Sequence, residues 1–119
     1  PEDVHRVMQQ YFRDCSSEHF VVLLLSTKNH ILAISPVSVG TLNASVVHPR
    51  EVFQRAILAN AASIILAHNH PSGDPTPSPE DIELTRRMVE AGKLLDISVL
   101  DHVVVGEDSF VSLKERGFL

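Results

Sequence analysis

The sequence has one cysteine, no tryptophan and no hydrophobic run long enough to cross a membrane. Cys15 is the sole cysteine of the 119 residues, which excludes an internal disulfide framework and a metal site built on several thiolates. Without a stretch of about 18 apolar residues or a basic, apolar leader, we expect a cytoplasmic protein. Basic residues are not in excess either, since 10 Lys and Arg against 15 Asp and Glu give a formal charge of -5. We therefore expect no direct nucleic-acid binding by this domain.

What the sequence does contain predicts one globular domain. Hydrophobic residues make up 44% of the chain and charged residues 21%, and 119 residues suffice for one buried core. Apolar periodicity predicts helices over residues 1–15, 49–60 and 79–92, and strands over residues 20–25, 31–39, 63–67, 97–105 and 110–113. This alternation of helices and strands predicts a three-layer α/β/α fold with a mixed sheet.

Each predicted helix has an apolar face. In the first helix the predicted buried stripe is Val4, Val7, Met8, Tyr11 and Phe12, with His5 off the stripe and exposed. The second helix is predicted to bury Val52, Phe53, Ala56 and Ile57. The third is predicted to turn Ile82, Thr85, Met88 and Val89 inward and to end at Gly92.

The stretch from Ala67 to Asp81, AHNHPSGDPTPSPED, concentrates the chemistry. Side chains alternate along a strand, so His68 and His70 project to the same side and can face one ion. Asp81 follows a loop rich in proline and glycine, and that loop can fold the carboxylate back toward the histidines. Two imidazoles and one carboxylate form the catalytic type of zinc set, with a fourth position left for water. We therefore predict one zinc ion per chain, bound by His68, His70 and Asp81.

The same residues also make a good helix start. Ser78 suits the N-cap position, Pro79 the first helical position, and Glu80 and Asp81 the acidic first turn that complements the helix dipole. The two interpretations are compatible, because a helix cap can position a metal ligand.

The pattern H-x-H-P-x6-S-x-x-D resembles the JAMM motif of the JAB or MPN domain metalloproteases. The string HNHPSGDPTPS, preceded by GTLNASVVHPRE and followed by LLDISVLDHVVVG, is similar to the bacterial RadC family. The resemblance extends from about Glu18 to Gly117 and implies a single JAB/MPN-like domain over residues 1–119 with a largely antiparallel sheet. RadC-like proteins commonly carry a further helical region, and this chain starts at Pro1, so we expect it to be the C-terminal part of a longer protein.

The resemblance also implies an activity, the hydrolysis of peptide or isopeptide bonds in a protein or peptide substrate. JAMM domains place a glutamate at the start of the first strand, and Glu18 matches that position. It would take a proton from the attacking water and deliver one to the leaving amine. Ser78 would donate a hydrogen bond to the developing oxyanion, or else only cap its helix. His48 and Asn43 could line the cleft, although for His48 an ordinary helix cap is the better interpretation.

Two polar residues, Asp101 and His102, interrupt the apolar strand near the C-terminus. Buried polar groups need partners, and the free ring nitrogen of a metal-bound histidine is often paired with another side chain. We therefore predict for Asp101 a structural role or a contact behind the metal ligands, rather than direct ligation.

Other functions fit the sequence less well. A zinc deaminase needs a Pro-Cys-x-x-Cys pair, which one cysteine cannot supply. A two-metal nuclease needs clustered carboxylates and a basic channel, and Arg50, Arg55, Arg86 and Arg87 on two helices are better explained as a solvated face. The main alternative is a noncatalytic interaction module associated with DNA repair or recombination.

Overall fold

The computed structural model describes residues 2–40 and 47–119. It contains three helices, α1 (Glu2–Tyr11), α2 (Pro49–Leu58) and α3 (Pro79–Leu95). It also contains five strands, β1 (Glu18–Leu25), β2 (Ile31–Gly40), β3 (Ser63–Asn69), β4 (Ser98–Val105) and β5 (Phe110–Ser112). Among these described residues, no helix is long and apolar enough to cross a membrane.

The strands form one mixed sheet in the order β2-β1-β3-β4-β5. Only β3 and β4 run parallel, while the β1–β2, β1–β3 and β4–β5 pairs are antiparallel. A parallel pair needs a long crossover, and α3 supplies it between β3 and β4. The predicted mixed, largely antiparallel sheet is therefore confirmed, and β1 and β2 form an antiparallel hairpin.

Helices cover both faces of the sheet, which confirms the predicted three layers. The α2 and α3 side holds the larger core, whose main members are Phe20, Val22, Leu24, Val52, Phe53, Ile64, Leu66, Leu84 and Met88. The α1 side holds a second core of Met8, Phe12, Val21, Leu23, Leu25, Ile65, Ala67, Val103 and Val105. Strands β1 and β3 contribute alternate residues to the two cores because their side chains point to opposite faces.

Helix α1 differs from its prediction in extent and in its buried face. It ends at Tyr11 rather than Cys15, and Val7 and Tyr11 are both 37% exposed. His5, predicted to be exposed, instead stacks on Phe110 with ring centroids 4.3 Å apart, and its Nε2 is buried. The packed face is rotated toward β5, a strand that the helical period alone cannot locate.

Helices α2 and α3 differ in smaller ways. Ile57 was predicted to be buried and is 55% exposed, one residue before α2 ends at Leu58. Leu84 is buried on α3 although the prediction omitted it. Helix α3 also runs past Gly92 and ends at the left-handed Asp96. Asn43, named as a residue that could line the cleft, lies outside the described residues.

Candidate metal centre

Three candidate ligands meet at one end of the sheet. One ligand atom each from His68, His70 and Asp81 lies within 4.8 Å of the other two. The Nε2 atoms of the histidines are 3.0 Å apart, and Asp81 Oδ2 lies 3.4 Å from His68 Nε2 and 3.5 Å from His70 Nε2. His68 is fully buried, whereas the His70 side chain is 16% exposed, so the group is open on the His70 side. The group could hold a metal ion.

Strand β3 positions both histidines. The antiparallel β1–β3 register pairs His68 with Phe20, and the Phe20 ring stacks on the His68 ring with centroids 5.9 Å apart. His70 follows the strand directly, and its backbone N–H donates to Val105 O at 2.9 Å, which extends the chain along β4. Both imidazoles therefore project toward the α3 side of the sheet, as the alternation of side chains predicts.

A capping box brings the carboxylate to the histidines. The Ser78 hydroxyl accepts from Asp81 N at 3.1 Å, and Asp81 Oδ2 accepts from Ser78 N at 2.8 Å. These reciprocal bonds satisfy backbone donors that the first turn of α3 would leave unpaired. The oxygen that faces the histidines is also the oxygen held by the cap. One atom, Asp81 Oδ2, therefore has both predicted roles: it caps the helix and it is the candidate ligand atom.

When the His70 ring is neutral, its hydrogen bonding leaves Nε2 without a proton. His70 Nδ1 lies 2.9 Å from the carbonyl oxygen of Asp74. A carbonyl only accepts, so the neutral ring carries its proton on Nδ1 and presents a bare lone pair on Nε2. That lone pair points into the group.

A buried chain of hydrogen bonds likewise leaves Nε2 of the neutral His68 ring without a proton. The Thr85 hydroxyl donates to Asp81 O at 2.7 Å, and so it must accept from His102 Nδ1, 2.6 Å away. His102 Nε2 is then left to accept from His68 Nδ1 at 2.7 Å. His68 Nε2 consequently also presents a bare lone pair. These hydrogen bonds link one candidate ligand, His68, to the backbone carbonyl of another, Asp81.

A bulge in β4 decides which polar residue reaches His68. The β3–β4 register shifts between Ile64 and Ile65, which places His102 beside Leu66, diagonally adjacent to His68 on the same face. Asp101 is paired with Ile65 instead. Its carboxylate accepts from His102 N at 2.7 Å, Ser112 Oγ at 2.6 Å and Lys114 N at 3.1 Å. Of the two predicted possibilities, Asp101 therefore has the structural one and ties β5 to β4.

The electrostatics of the group favour a cation. Burial raises the pKa of the Asp81 carboxyl, but hydrogen bonds and charge from His68 and His70 outweigh it and hold the pKa far below its usual range. A protonated His70 ring would donate from Nε2 to Asp81 Oδ2, and this hydrogen bond raises the pKa of His70. Burial lowers the pKa of His102 well below 6.5, which keeps this ring neutral, as the hydrogen-bonded chain requires.

Of the other predicted site residues, Glu18 lies at the edge of the group. The β1–β3 register, continued two residues past the Phe20–His68 pair, places Glu18 across from His70 on the same face. The Glu18 charge contributes to the raised pKa of His70. His48 occupies the N-cap position of α2, as expected, but its side chain makes no capping hydrogen bond.

Thr85 was predicted only as an inward residue, and no local motif indicates its hydrogen bond to His102.

The fold and the group of ligands together define a JAB-type α/β domain with a candidate metal site. Residues 1–118 match the family model of the RadC-like JAB domain. The chain belongs to this family.

Relatives at similar distance occur in bacteria and archaea. The chain is 57% identical over 119 residues to a UPF0758 protein of Desulforamulus reducens and 58% identical over 118 residues to one of Caldanaerobacter subterraneus. It is 56% identical over 119 residues to a UPF0758 protein of Methanosarcina barkeri. These matches cover 99–100% of this chain and 51–52% of each relative, so the chain spans about half the length of the curated relatives it matches. Their names state no activity.

Proposed function

We propose that this domain is a zinc-dependent hydrolase of peptide or isopeptide bonds. One observation carries the proposal: two bare imidazole lone pairs and a carboxylate oxygen converge, with the two Nε2 atoms only 3.0 Å apart. Two lone pairs at that distance repel each other unless a cation or a proton lies between them. The hydrogen bonds from Thr85 through His102 fix the orientation and tautomer of His68, as is usual for metal-bound histidines.

The dimensions of the group fit zinc. Nitrogen and oxygen ligands about 2.0–2.1 Å from zinc at tetrahedral angles lie about 3.3–3.4 Å from one another. The three ligand atoms form a triangle with sides of 3.0, 3.4 and 3.5 Å, close to one face of such a tetrahedron. Two nitrogens and one oxygen also suit zinc better than a hard cation such as Mg²⁺. His68, His70 and Asp81 would hold the ion and leave a fourth position free.

Zinc in this position would polarise the scissile carbonyl and make hydroxide available near neutral pH. In this proposal Glu18 acts as general base and then as general acid. It lies across from His70 on the open side of the group, where the attacking water and the leaving amine must pass. Its carboxylate would accept a proton from the attacking water as the C–O bond forms, and would then return a proton to the amine nitrogen as the amide C–N bond breaks.

Ser78 would stabilise the oxyanion as well as cap α3. Its hydroxyl oxygen accepts from Asp81 N, which leaves the hydroxyl proton for a donor bond toward the site. Ser78→Gly separates the two roles, because glycine costs only a few tenths of a kcal/mol at an N-cap. For an oxyanion donor we expect kcat to fall about 100-fold with little change in melting temperature. Ser78→Thr, which keeps the hydroxyl, is the matched control, and unchanged kcat in Ser78→Gly would leave Ser78 only its capping role.

Metal content and turnover test the proposal in sequence. Protein purified without added metal is expected to contain about one zinc per chain by elemental analysis, and His68→Ala to contain none. The wild-type protein should then cleave members of a quenched-fluorescent peptide library, and Glu18→Gln should keep its zinc and lose cleavage. Failure to take up zinc from micromolar solution at neutral pH would refute the zinc site. Zinc binding without turnover on any peptide or isopeptide would instead support the noncatalytic interaction module.

A further inference from the structure

A cleft of about 800 Å³ opens beside the metal centre, on the opposite face of the sheet from Asp81. Helix α1 and the turn that follows it form one wall. The other wall comes from the chain that follows β3, including His70 and Gly73, and from the end of β4 at Glu107. The cleft and the group of candidate ligands share one residue, His70.

The α1 wall is a polar stripe. Arg6, Gln9, Gln10 and Arg13 line the cleft and recur at i, i+3, i+4 and i+7, so they form one face of the helix and its final turn. The stripe lies opposite Met8 and Phe12, which hold α1 to the sheet. Both arginines are exposed, and within residues 2–40 and 47–119 neither forms an ion pair with a carboxylate. The wall therefore offers two guanidinium groups and two side-chain amides to a ligand.

The opposite wall is fixed to the metal centre. Gly73 N donates to His70 O at 2.9 Å, and Glu107 N donates to Gly73 O at 3.1 Å. Gly106 packs so closely on the Gly73 carbonyl that a Cβ at Gly106 would overlap it. Gln9 Nε2 donates across the cleft to Glu107 O at 3.2 Å. A group bound by α1 is thus held at a defined position relative to His70.

We propose that this cleft binds an acidic segment of the peptide substrate, with Arg6 and Arg13 as the recognition residues. The inference rests on the proposed function, since it concerns the substrate of the same site. Guanidinium groups bind carboxylates through paired, charge-assisted hydrogen bonds, and the neighbouring glutamines supply amide donors and acceptors for a peptide backbone. Acidic residues beside the scissile bond would place that bond at the open side of the metal centre.

The observations favour an acidic peptide over a nucleic acid. A nucleic-acid groove needs positive charge over many phosphates, whereas the chain carries a net charge of -5 and Glu107 lines the same cleft. Two arginines match the few charges of a short peptide. Among the described residues that line the cleft, Phe12 is the only phenylalanine, tyrosine or tryptophan, and it packs into the core rather than offering a platform for stacked bases.

Binding to the zinc-loaded protein tests the inference without requiring turnover. The probes are fluorescein-labelled tetraglutamate, tetraglutamine and the oligonucleotide dT5, followed by fluorescence anisotropy at low ionic strength. We expect tetraglutamate to bind most tightly, and Arg6→Gln and Arg13→Gln each to weaken it about fivefold, in line with charge-assisted bonds at exposed positions. Arg87→Gln is the matched control, because Arg87 is an exposed arginine on α3, across the sheet from the cleft.

Three results of the binding assay would overturn the inference. The inference is overturned if tetraglutamine binds equally well, if dT5 binds more tightly, or if Arg87→Gln weakens tetraglutamate as much as the cleft variants do. Cys15 gives an independent readout, since it is the only thiol and lines the cleft, so bound tetraglutamate should slow its alkylation by iodoacetamide. Unchanged alkylation at saturating peptide would place the bound peptide elsewhere.

Cleavage assays separate this inference from the proposed function. Two matched peptide substrates are compared, one with glutamates and one with glutamines at the same positions. Arg13→Gln should raise KM for the glutamate peptide and leave kcat unchanged. Cleavage without any preference for acidic residues would retain the hydrolase and overturn the inference. Arginine-dependent binding of tetraglutamate without any cleavage would retain the acidic-peptide cleft and refute the hydrolase.

Discussion

At the scale of single residues, Thr85 has the least obvious part in the candidate metal centre. Its hydroxyl donates to Asp81 O and accepts from His102, which forces His102 to accept from His68. A threonine with one proton therefore sets the tautomers of two histidines in sequence. Thr85 is fully buried, so no water can replace the hydroxyl without rearrangement of the core.

Thr85→Val should weaken zinc binding about tenfold or more, because valine keeps the shape but releases His102 and, through it, the tautomer of His68. A competition titration with a chromophoric zinc chelator measures the change. Thr85→Ser retains the hydroxyl and should bind zinc nearly as well as the wild type. Equal zinc affinity in the valine and serine variants would show that the hydrogen-bonded chain does not orient His68.

We expect His5 to make the stability of the fold depend on pH. Burial lowers its pKa from the ordinary 6.5, so the unfolded chain takes up a proton more readily than the folded one. The stabilisation is full above about pH 6.5 and is lost as the pH falls toward the lowered pKa. His5→Phe should keep the stack on Phe110, remove the unpaired Nε2 and reduce the loss of stability between pH 7 and pH 5. Urea unfolding at pH 7 and at pH 5 measures this change in the free energy of unfolding.

The exposed His30, in the turn between β1 and β2, provides the control for His5. His30→Gln should leave the pH dependence of unfolding unchanged. If His5→Phe and the wild type lose the same free energy of unfolding between pH 7 and pH 5, another group accounts for the acid sensitivity.

Local sequence predicts those site residues whose placement depends on local geometry. Alternation along one strand places His68 and His70 on the same side, and the helix-start signal at Ser78 predicts the position of Asp81. The contact of His102 with His68 depends instead on the register of two parallel strands that are joined through α3. A one-residue shift without the bulge would turn Asp101 toward Leu66 in place of His102, and the sequence of β4 alone does not reveal that choice.

At the scale of elements, α3 shows why the end of a helix is hard to predict from glycine. Gly92 was predicted as the helix end, but α3 continues to Leu95 and Gly92 is buried. A Cβ at this position would overlap the carbonyl oxygen of Ile97 and lie 3.4 Å from the Phe53 ring. The glycine therefore permits the close return of the chain into β4, an approach between segments that becomes visible only in the folded structure.

Gly92→Ala should lower the free energy of unfolding by about 1–3 kcal/mol, the usual cost of excess volume in a packed core, despite the better helix propensity of alanine. Chemical denaturation measures the change. Leu94→Ala, on the same helix at a side chain that is 88% exposed, should change stability by no more than about 0.5 kcal/mol. A Gly92→Ala protein as stable as the wild type would show that the α3–β4 turn adjusts without cost.

For the whole molecule, the metal centre joins elements that are far apart in sequence. His68 lies in β3 and His70 directly follows it, Asp81 lies in the first turn of α3, and His102 supports His68 from β4. The centre therefore links the central strands to the helix that crosses over between them. Metal binding at such a place should stabilise the complete fold rather than a local loop, because the group of ligands exists only when all three elements are in place.

Zinc should consequently raise the melting temperature in proportion to its binding free energy. A ligand at about 100 times its Kd adds about 2.7 kcal/mol to the free energy of unfolding, which corresponds to roughly 10 °C for a domain of this size. Calorimetry with and without excess chelator measures the shift. His68→Ala should abolish it, and His30→Ala, in the turn at the opposite end of β1, should preserve it. An equal zinc-dependent shift in His68→Ala would mean that zinc stabilises the fold through another site.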